Sequence, residues 1–390
     1  MDKANRALWG ISTGHFILDM HVAILIPLYP LIAQRLDINL ASISLVIALG
    51  HSMASVLEPM FGYISDKIQK RFFIFWGLIL ASLFIPLGYI APSMQVLVLC
   101  LALGMIGNAF YHPQATSVIK DFFKENIDLS RAIGIFLGFG TLGYSFGPYL
   151  SSYIAQNFGQ NFIFIGIIGI LTSILALFFI PKIEKREVKS ASNFLLALKG
   201  ITKNKACMLL IMLTILKACL VMSFGTYIPF LLKQYNFATT QTGLIMTAFF
   251  TSGGFAMIFS SHLEKRIKLK GMIMASYLPL LPLVSLAILS LKYYSKILAV
   301  ILFISAGFFI LLAAGSILAG AQKMIPNNTG TISGIIQGFT LAIGSLLLIP
   351  LGRLGQHFGV SCILILICLI AGICAIYCAK TKLLNTEIDN

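Results

Sequence analysis

Apolar runs of about 20 residues, separated by short polar stretches, recur along the whole chain. They fall near 7–33, 41–64, 72–90, 93–119, 133–155 and 162–180, and again near 206–232, 243–261, 271–291, 297–321, 332–354 and 360–379. A helix of about 20 apolar residues, rising about 1.5 Å per residue, crosses a hydrocarbon layer about 30 Å thick. Such a helix satisfies its own backbone hydrogen bonds in lipid, whereas a barrel strand would be shorter and would alternate polar with apolar residues. The pattern predicts an all-α membrane protein of twelve transmembrane helices.

Composition agrees with this pattern and removes one competing class. Of the 390 residues 58% are apolar and only 11% charged, too apolar for an ordinary soluble domain. The net charge of +15 would suit a nucleic-acid partner if the basic residues formed one patch, but they lie between the apolar runs. The expected partner of these charges is the lipid bilayer, with no nucleic acid. Placing the N-terminus inside puts 22 of the 28 Lys and Arg on the cytoplasmic side. Only Arg35, Lys233, Lys292, Lys296 and Arg353 fall on the other side, and Lys217 falls within a run. Positive residues resist translocation, so both termini are expected in the cytoplasm. The first run is long enough to span and lacks a small-residue cleavage site, so it is expected to be retained. The seven cysteines show no zinc-like pairing and are expected to be reduced thiols in or beside the spans.

The chain also repeats itself. At an offset of 200, the segment starting at Gly134 aligns with that starting at Gly334, and 8 of 26 positions are identical, including Gly134, Gly138, Phe139, Ser145, Phe158 and Gly159 with their partners. Copies six spans apart have the same orientation, which predicts two pseudo-symmetric six-helix halves. The expected boundaries are 1–181 for the first half, 182–205 for a basic cytoplasmic linker, and 206–390 for the second half.

Several motifs refine this. Gly62 to Arg71 reads GYISDKIQKR and resembles the G-x-x-x-D-x-x-G-x-R loop of the major facilitator superfamily, with Gln69 at the second glycine. In this motif Gly62 lets helices approach, Asp66 faces a helix N-terminus or a cation, and Arg71 anchors the loop on the cytoplasmic side. The fifth run, with Gly138, Gly140, Gly143, Gly147 and Pro148, is similar to the glycine-rich motif of that superfamily's antiporters, which favours export. As physics alone, Gly143, Gly147 and Pro148 suit a closely packed, bent helix. Gly14-His15-Phe16 with Asp19, the run Phe110 to Pro113, and Pro326 to Gly334 resemble the fosmidomycin-resistance family of efflux proteins. Glu58-Pro59 ahead of Gly62 fits the same layout, although the family has glutamine where Glu58 stands, and Leu263 to Arg266 is a degenerate copy of the loop motif. The resemblance implies the major facilitator fold and proton-driven export of a small molecule, by a monomer, across a bacterial inner membrane.

Ionisable residues within the runs are the candidate site, because charge at membrane depth costs about 2.5–3.5 kcal/mol on insertion scales. Asp19 lies mid-run with His15 one turn earlier on the same face. This suits proton coupling and substrate binding, or a structural hydrogen-bonded pair. Counting along the helices puts His112 at a depth similar to His15. His112 is a candidate for both proton coupling and substrate binding. Lys217 is either a substrate-binding cation or a snorkelling side chain, and aligning Ile26-Pro27 with Ile228-Pro229 sets it opposite His15 in the repeat. By resemblance, spans one, four, seven and ten line the cavity. His51 and Glu58 share a face of the second run, where they suit a packing histidine and an inner-gate carboxylate or proton carriers, and Glu58 is a further proton-coupling candidate. Lys217 and the histidines lean towards an anionic or zwitterionic substrate.

The charges alone leave antiport and symport both open. The alternatives are a proton-coupled importer, or an exporter of an endogenous metabolite such as a carboxylate siderophore. A more remote one is an intramembrane enzyme holding a metal on His15, His51, His112 and Asp19. No H-E-x-x-H or Walker sequence is present, so no enzyme activity, resident metal or cofactor is expected.

Overall fold

The computed structural model describes residues 2–65, 70–123, 126–180, 200–325, 332 and 335–384, and it is all-helical there. Contacts divide the chain into two compact units, Met1–Lys189 with Asn236–Thr247, and Ser190–Tyr235 with Ala248–Asn390.

The first unit begins with α1 (Lys3–Ala23), whose N-terminal amides are capped by the Asp2 carboxylate on Asn5 N at 2.7 Å. The expected single helix over 7–33 is broken. A 3₁₀ turn at Ile26–Leu28 leads into α2 (Tyr29–Arg35), because Pro27 and Pro30 lack the amide hydrogens a continuous helix needs. Next come α3 (Leu40–Ser65), α4 (Lys70–Tyr89), α5 (Met94–Phe122, capped by Ser93), α6 (Asn126–Phe158) and α7 (Ile165–Phe179). α1 packs mainly on α6, with further contacts to α7, α4 and α5. Its crossing with α6 is close because Gly143 has no side chain, and a Cβ there would lie 2.7 Å from the Phe16 carbonyl carbon. At Gly147 a Cβ would lie 2.5 Å from the Met20 carbonyl oxygen, so the first unit is built around α1 held tightly by α6.

The second unit holds α8 (Lys205–Gln234, capped by Asn204), most of α9 (Thr239–Tyr277), α10 (Leu280–Tyr293), α11 (Lys296–Leu312) and α12 (Ala314–Met324). It closes with α13 (Thr340–Leu346), α14 (Leu348–Phe358) and α15 (Val360–Lys380). The start of α9 belongs to the first unit, where Thr247 Oγ1 accepts from Tyr149 N at 3.1 Å and Gln156 Oε1 accepts from Thr240 N at 3.3 Å. The expected break near 262–270 is helical up to Lys268, which bends the chain with φ 54°. The run near 332–354 is segmented into a π-helical turn (Ile335–Phe339), α13 and α14, and Pro350 explains the second break by removing a donor.

Among the described residues, ten helical stretches are long and apolar enough to span a bilayer. The expected fifth span is α6, 33 residues long but diluted by glycine, serine and tyrosine, and the sixth lies in the shorter apolar helix Asn161–Ala176. Large apolar side chains such as Phe178, Ile258 and Ile297 point outward, as a lipid-facing surface requires.

Backbone geometry repeats between the units. The two glycines with positive φ among the described residues are Gly159 (54°) and Gly359 (87°), the matched ends of the sequence repeat. Each terminates a helix in a conformation that a Cβ disfavours. Asp37 (51°) and Asn236 (56°) likewise follow the first helical segment of each unit, and Asp and Asn tolerate this conformation better than most residues. The close crossing repeats as well. A Cβ on Gly344 of α13 would lie 2.5 Å from Ala218 Cβ of α8, as Gly143 of α6 meets Phe16 of α1. Lys217 and Ala218 are adjacent on α8 as His15 and Phe16 are on α1.

Candidate functional site

Three helices of the first unit build a polar cluster inside apolar packing. α1 contributes His15 and Asp19 one turn apart, α5 contributes Asn108, Tyr111 and His112, and α6 contributes the Phe136 carbonyl and the bare face of Gly140. His15 is 3% exposed, and its Nε2 lies 3.1 Å from Asp19 Oδ2. His112 Nε2 lies 3.6 Å from Asp19 Oδ1. The two imidazoles meet edge to face with centroids 4.9 Å apart, so residues nearly a hundred positions apart share one site.

The His15 ring is fixed from several sides. Its Nδ1 donates to the Phe136 carbonyl at 2.7 Å, and its face stacks on the Phe136 ring at 4.0 Å. Tyr111 closes a further side, and its hydroxyl donates to the Ile11 carbonyl across the space left by Gly14. Gly140 provides the last clearance, because a Cβ there would sit 2.7 Å from Asp19 Oδ2 and closer still to the His15 ring. His112 donates from Nε2 to Asn108 Oδ1 at 3.0 Å, one turn back on α5.

This geometry constrains protons. A carbonyl oxygen only accepts, so the hydrogen on His15 Nδ1 is committed to Phe136, and Nε2 is left to face Asp19. An acid and an imidazole nitrogen 3.1 Å apart can pass one proton between them. The approach is too far off line for a regular hydrogen bond, so Nε2 stays a buried polar atom without an aligned partner. Asp19 and His112 remain 18% and 25% exposed, which leaves the pair a way out.

The other candidates lie elsewhere. Glu58 is partly buried on α3, and His51 is buried on the same helix; among the described residues neither joins the cluster. Of the four ligands weighed for a metal, the structure brings together His15, Asp19 and His112, whose donor atoms lie within 4.8 Å of one another, and leaves out His51. Lys217 is half-buried on α8 of the second unit. No acidic residue lies between Asn236 and Thr386 except Glu264, and its carboxylate accepts from Ser316 at 2.9 Å. Gly62 and Arg71 fall within α3 and α4, but Asp66 and most of the Pro326 to Gly334 motif lie outside the described residues.

Three contributors escaped sequence reasoning. Phe136 acts through its backbone, which carries no side-chain signal. Asn108 had a signal, an amide one turn before His112 in an apolar run. His21, two residues after Asp19, is fully buried and ties α1 to α7 through the carbonyls of Ile17 at 2.7 Å and Ile165 at 3.3 Å.

Comparison with known proteins places this architecture. Residues 11–348 match the family model of the Major Facilitator Superfamily. The chain is 23% identical over 364 residues to the fosmidomycin resistance protein of Escherichia coli, covering 91% of this chain and 87% of that one. It is 27% identical over 224 residues to NarT of Staphylococcus epidermidis, a probable nitrate transporter, covering 57% of each. Among solved structures, the nucleoside transporter NupG superposes with a TM-score of 0.78 at 14% identity, covering 98% of this chain and all (100%) of that one. A bacterial homologue of the human drug peptide transporters PepT1 and PepT2 superposes with a TM-score of 0.73 at 12% identity, covering 97% and 98%.

Proposed function

The chain belongs to the Major Facilitator Superfamily, and we propose that it is a proton-coupled secondary transporter exporting a small anionic or zwitterionic molecule by alternating access. That it is a membrane transporter and not an enzyme follows from the family and its relatives. The observation that supports the finer reading is the His15–Asp19–His112 cluster, an acid 3.1 and 3.6 Å from two imidazole nitrogens in an apolar bundle with a partly open side.

Antiport requires that proton and substrate exclude each other. A carboxylate that has given up its proton accepts a hydrogen-bond donor or cationic group from substrate, and a carboxylic acid does so poorly. A molecule that places such a group at Asp19 would be released when Asp19 is reprotonated. His112 takes part in both proton coupling and substrate binding, and Glu58 is a secondary proton station on the route out. The absence of a matching acid in the spans around Lys217 supports an anion there. Relatives named for fosmidomycin resistance and nitrate transport fit an exported or anionic cargo. The loop from Gly62 through Asp66 to Arg71 gates the inner side, and Gly143, Gly147 and Pro148 form the helix-packing face on which the motion turns. The protein acts as a monomer in a bacterial inner membrane.

Everted vesicles test the direction and the driving force, because export appears there as uptake. With fosmidomycin as probe, energised vesicles are expected to accumulate it and lose it when a protonophore collapses the gradient. Uptake indifferent to the protonophore would end the proton-coupled reading. Orientation is tested separately: a reporter fused after Lys382 is expected to read cytoplasmic, as the charge asymmetry requires. A periplasmic signal would invert the scheme.

A further inference from the structure

We propose that His15, Asp19 and His112 also form a binding site for a divalent transition-metal ion of the zinc and cobalt class, and that the bound ion blocks transport. Zinc binds imidazole nitrogen and carboxylate oxygen at about 2.0–2.2 Å, so two ligand atoms on one tetrahedral ion lie about 3.3–3.5 Å apart. The approaches of the two imidazole Nε2 atoms to the Asp19 oxygens are 3.1 and 3.6 Å, and all the donor atoms fall within 4.8 Å of one another. Small rotations of partly exposed side chains bring the set onto an ion.

The surroundings resemble a metal site's second layer. Metal-binding imidazoles usually donate their other N–H to a carbonyl or carboxylate, which orients the ring. His15 does this through Nδ1 to the Phe136 carbonyl, and it leaves Nε2 buried, unaligned with any partner and aimed into the cluster. His112 exchanges its Asn108 hydrogen bond for the ion, at a cost of about 0.5–1.5 kcal/mol. Two nitrogens and one carboxylate, with no thiolate, suit zinc, cobalt, nickel or copper and not magnesium or calcium. Three protein ligands leave a position open for water, and the exposure of Asp19 and His112 gives the ion a way in. An ion held on these atoms occupies the Asp19 carboxylate and the open side of the cluster, so substrate cannot reach Asp19.

Cobalt(II) chloride added to the purified, tag-free protein is expected to develop the visible absorption of a low-coordinate ion, saturating at one ion per chain and displaced by zinc. His15→Gln, Asp19→Asn and His112→Gln are each expected to weaken binding by at least about 10–100-fold, and His51→Gln is expected to leave it unchanged. Copper(II) electron paramagnetic resonance on the wild type reads nitrogen ligands without any variant and is expected to show two imidazoles. No cobalt absorption, no nitrogen coupling to copper, or equal binding by the folded variants would overturn the site. The optical readout does not involve transport, so its failure is distinct from a failure of the proton-coupled reading. Inhibition does rest on that reading, and gradient-driven uptake unchanged by saturating zinc would refute the block alone.

Discussion

Asp19→Asn is expected to abolish gradient-driven accumulation while sparing unenergised exchange of substrate across the membrane. Asparagine keeps the shape and the hydrogen-bonding of the neutral side chain but has no proton to release. It can therefore stand beside His15 Nε2, 3.1 Å away in the native protein, but it cannot alternate between two states. Coupling free energies of about 1–3 kcal/mol correspond to about 5–150-fold changes in affinity. Loss of the coupling should lower the steady-state accumulation ratio by a factor in that range, with exchange reduced far less. The comparison is made in proteoliposomes with and without an imposed pH gradient. Undiminished accumulation by Asp19→Asn would remove Asp19 as the carrier and move attention to Glu58 and His112.

Gly140→Val is expected to inactivate transport without touching any ionisable group. Its Cβ would lie 2.7 Å from Asp19 Oδ2 and nearer still to the His15 ring, closer than real Cβ atoms approach. Moving α6 away would undo the close crossing at Gly143, one turn along, against the Phe16 backbone of α1. The His15–Asp19 pair must therefore be displaced, and misplacing a reacting group by about 1 Å costs on the order of 100-fold in rate. Overpacking should lower stability by about 1–3 kcal/mol, so the variant should still fold in part. Gly138→Ala is the control, since a Cβ there meets nothing within 4 Å. Thermal melting and transport measured together separate a displaced site from a lost fold. Equal loss in both variants would mean that the helix, not the pair, is sensitive.

The fold was legible because each run is long, apolar and flanked by basic residues at one end, and a bilayer leaves a helix as the only economical conformation. Breaks at Pro27, Pro30 and Pro350 were visible as residues but not as consequences, since proline is tolerated in membrane helices where neighbours re-satisfy the backbone. The kink at Lys268 has no such marker; it sits in a basic stretch that reads equally well as a loop. For the site, helical spacing paired His15 with Asp19, and depth counting put His112 alongside. Neither could reveal that Phe136 orients His15, because a backbone carbonyl has no identity in the sequence. The repeat was legible at Gly159 and Gly359, where both the residue and its positive φ recur.

The central claim is that substrate and proton exchange at the His15–Asp19 pair, and proton release on binding measures it most directly. The purified protein is placed in weakly buffered detergent solution with a pH indicator. The ligand is the compound that most raises the melting temperature in a screen of anionic and zwitterionic molecules, fosmidomycin among them. The wild type is predicted to release protons as the ligand saturates it, and Asp19→Asn is predicted to bind the same ligand with no release. Binding to the wild type without proton release would contradict the account, and proton uptake would contradict antiport and assign symport.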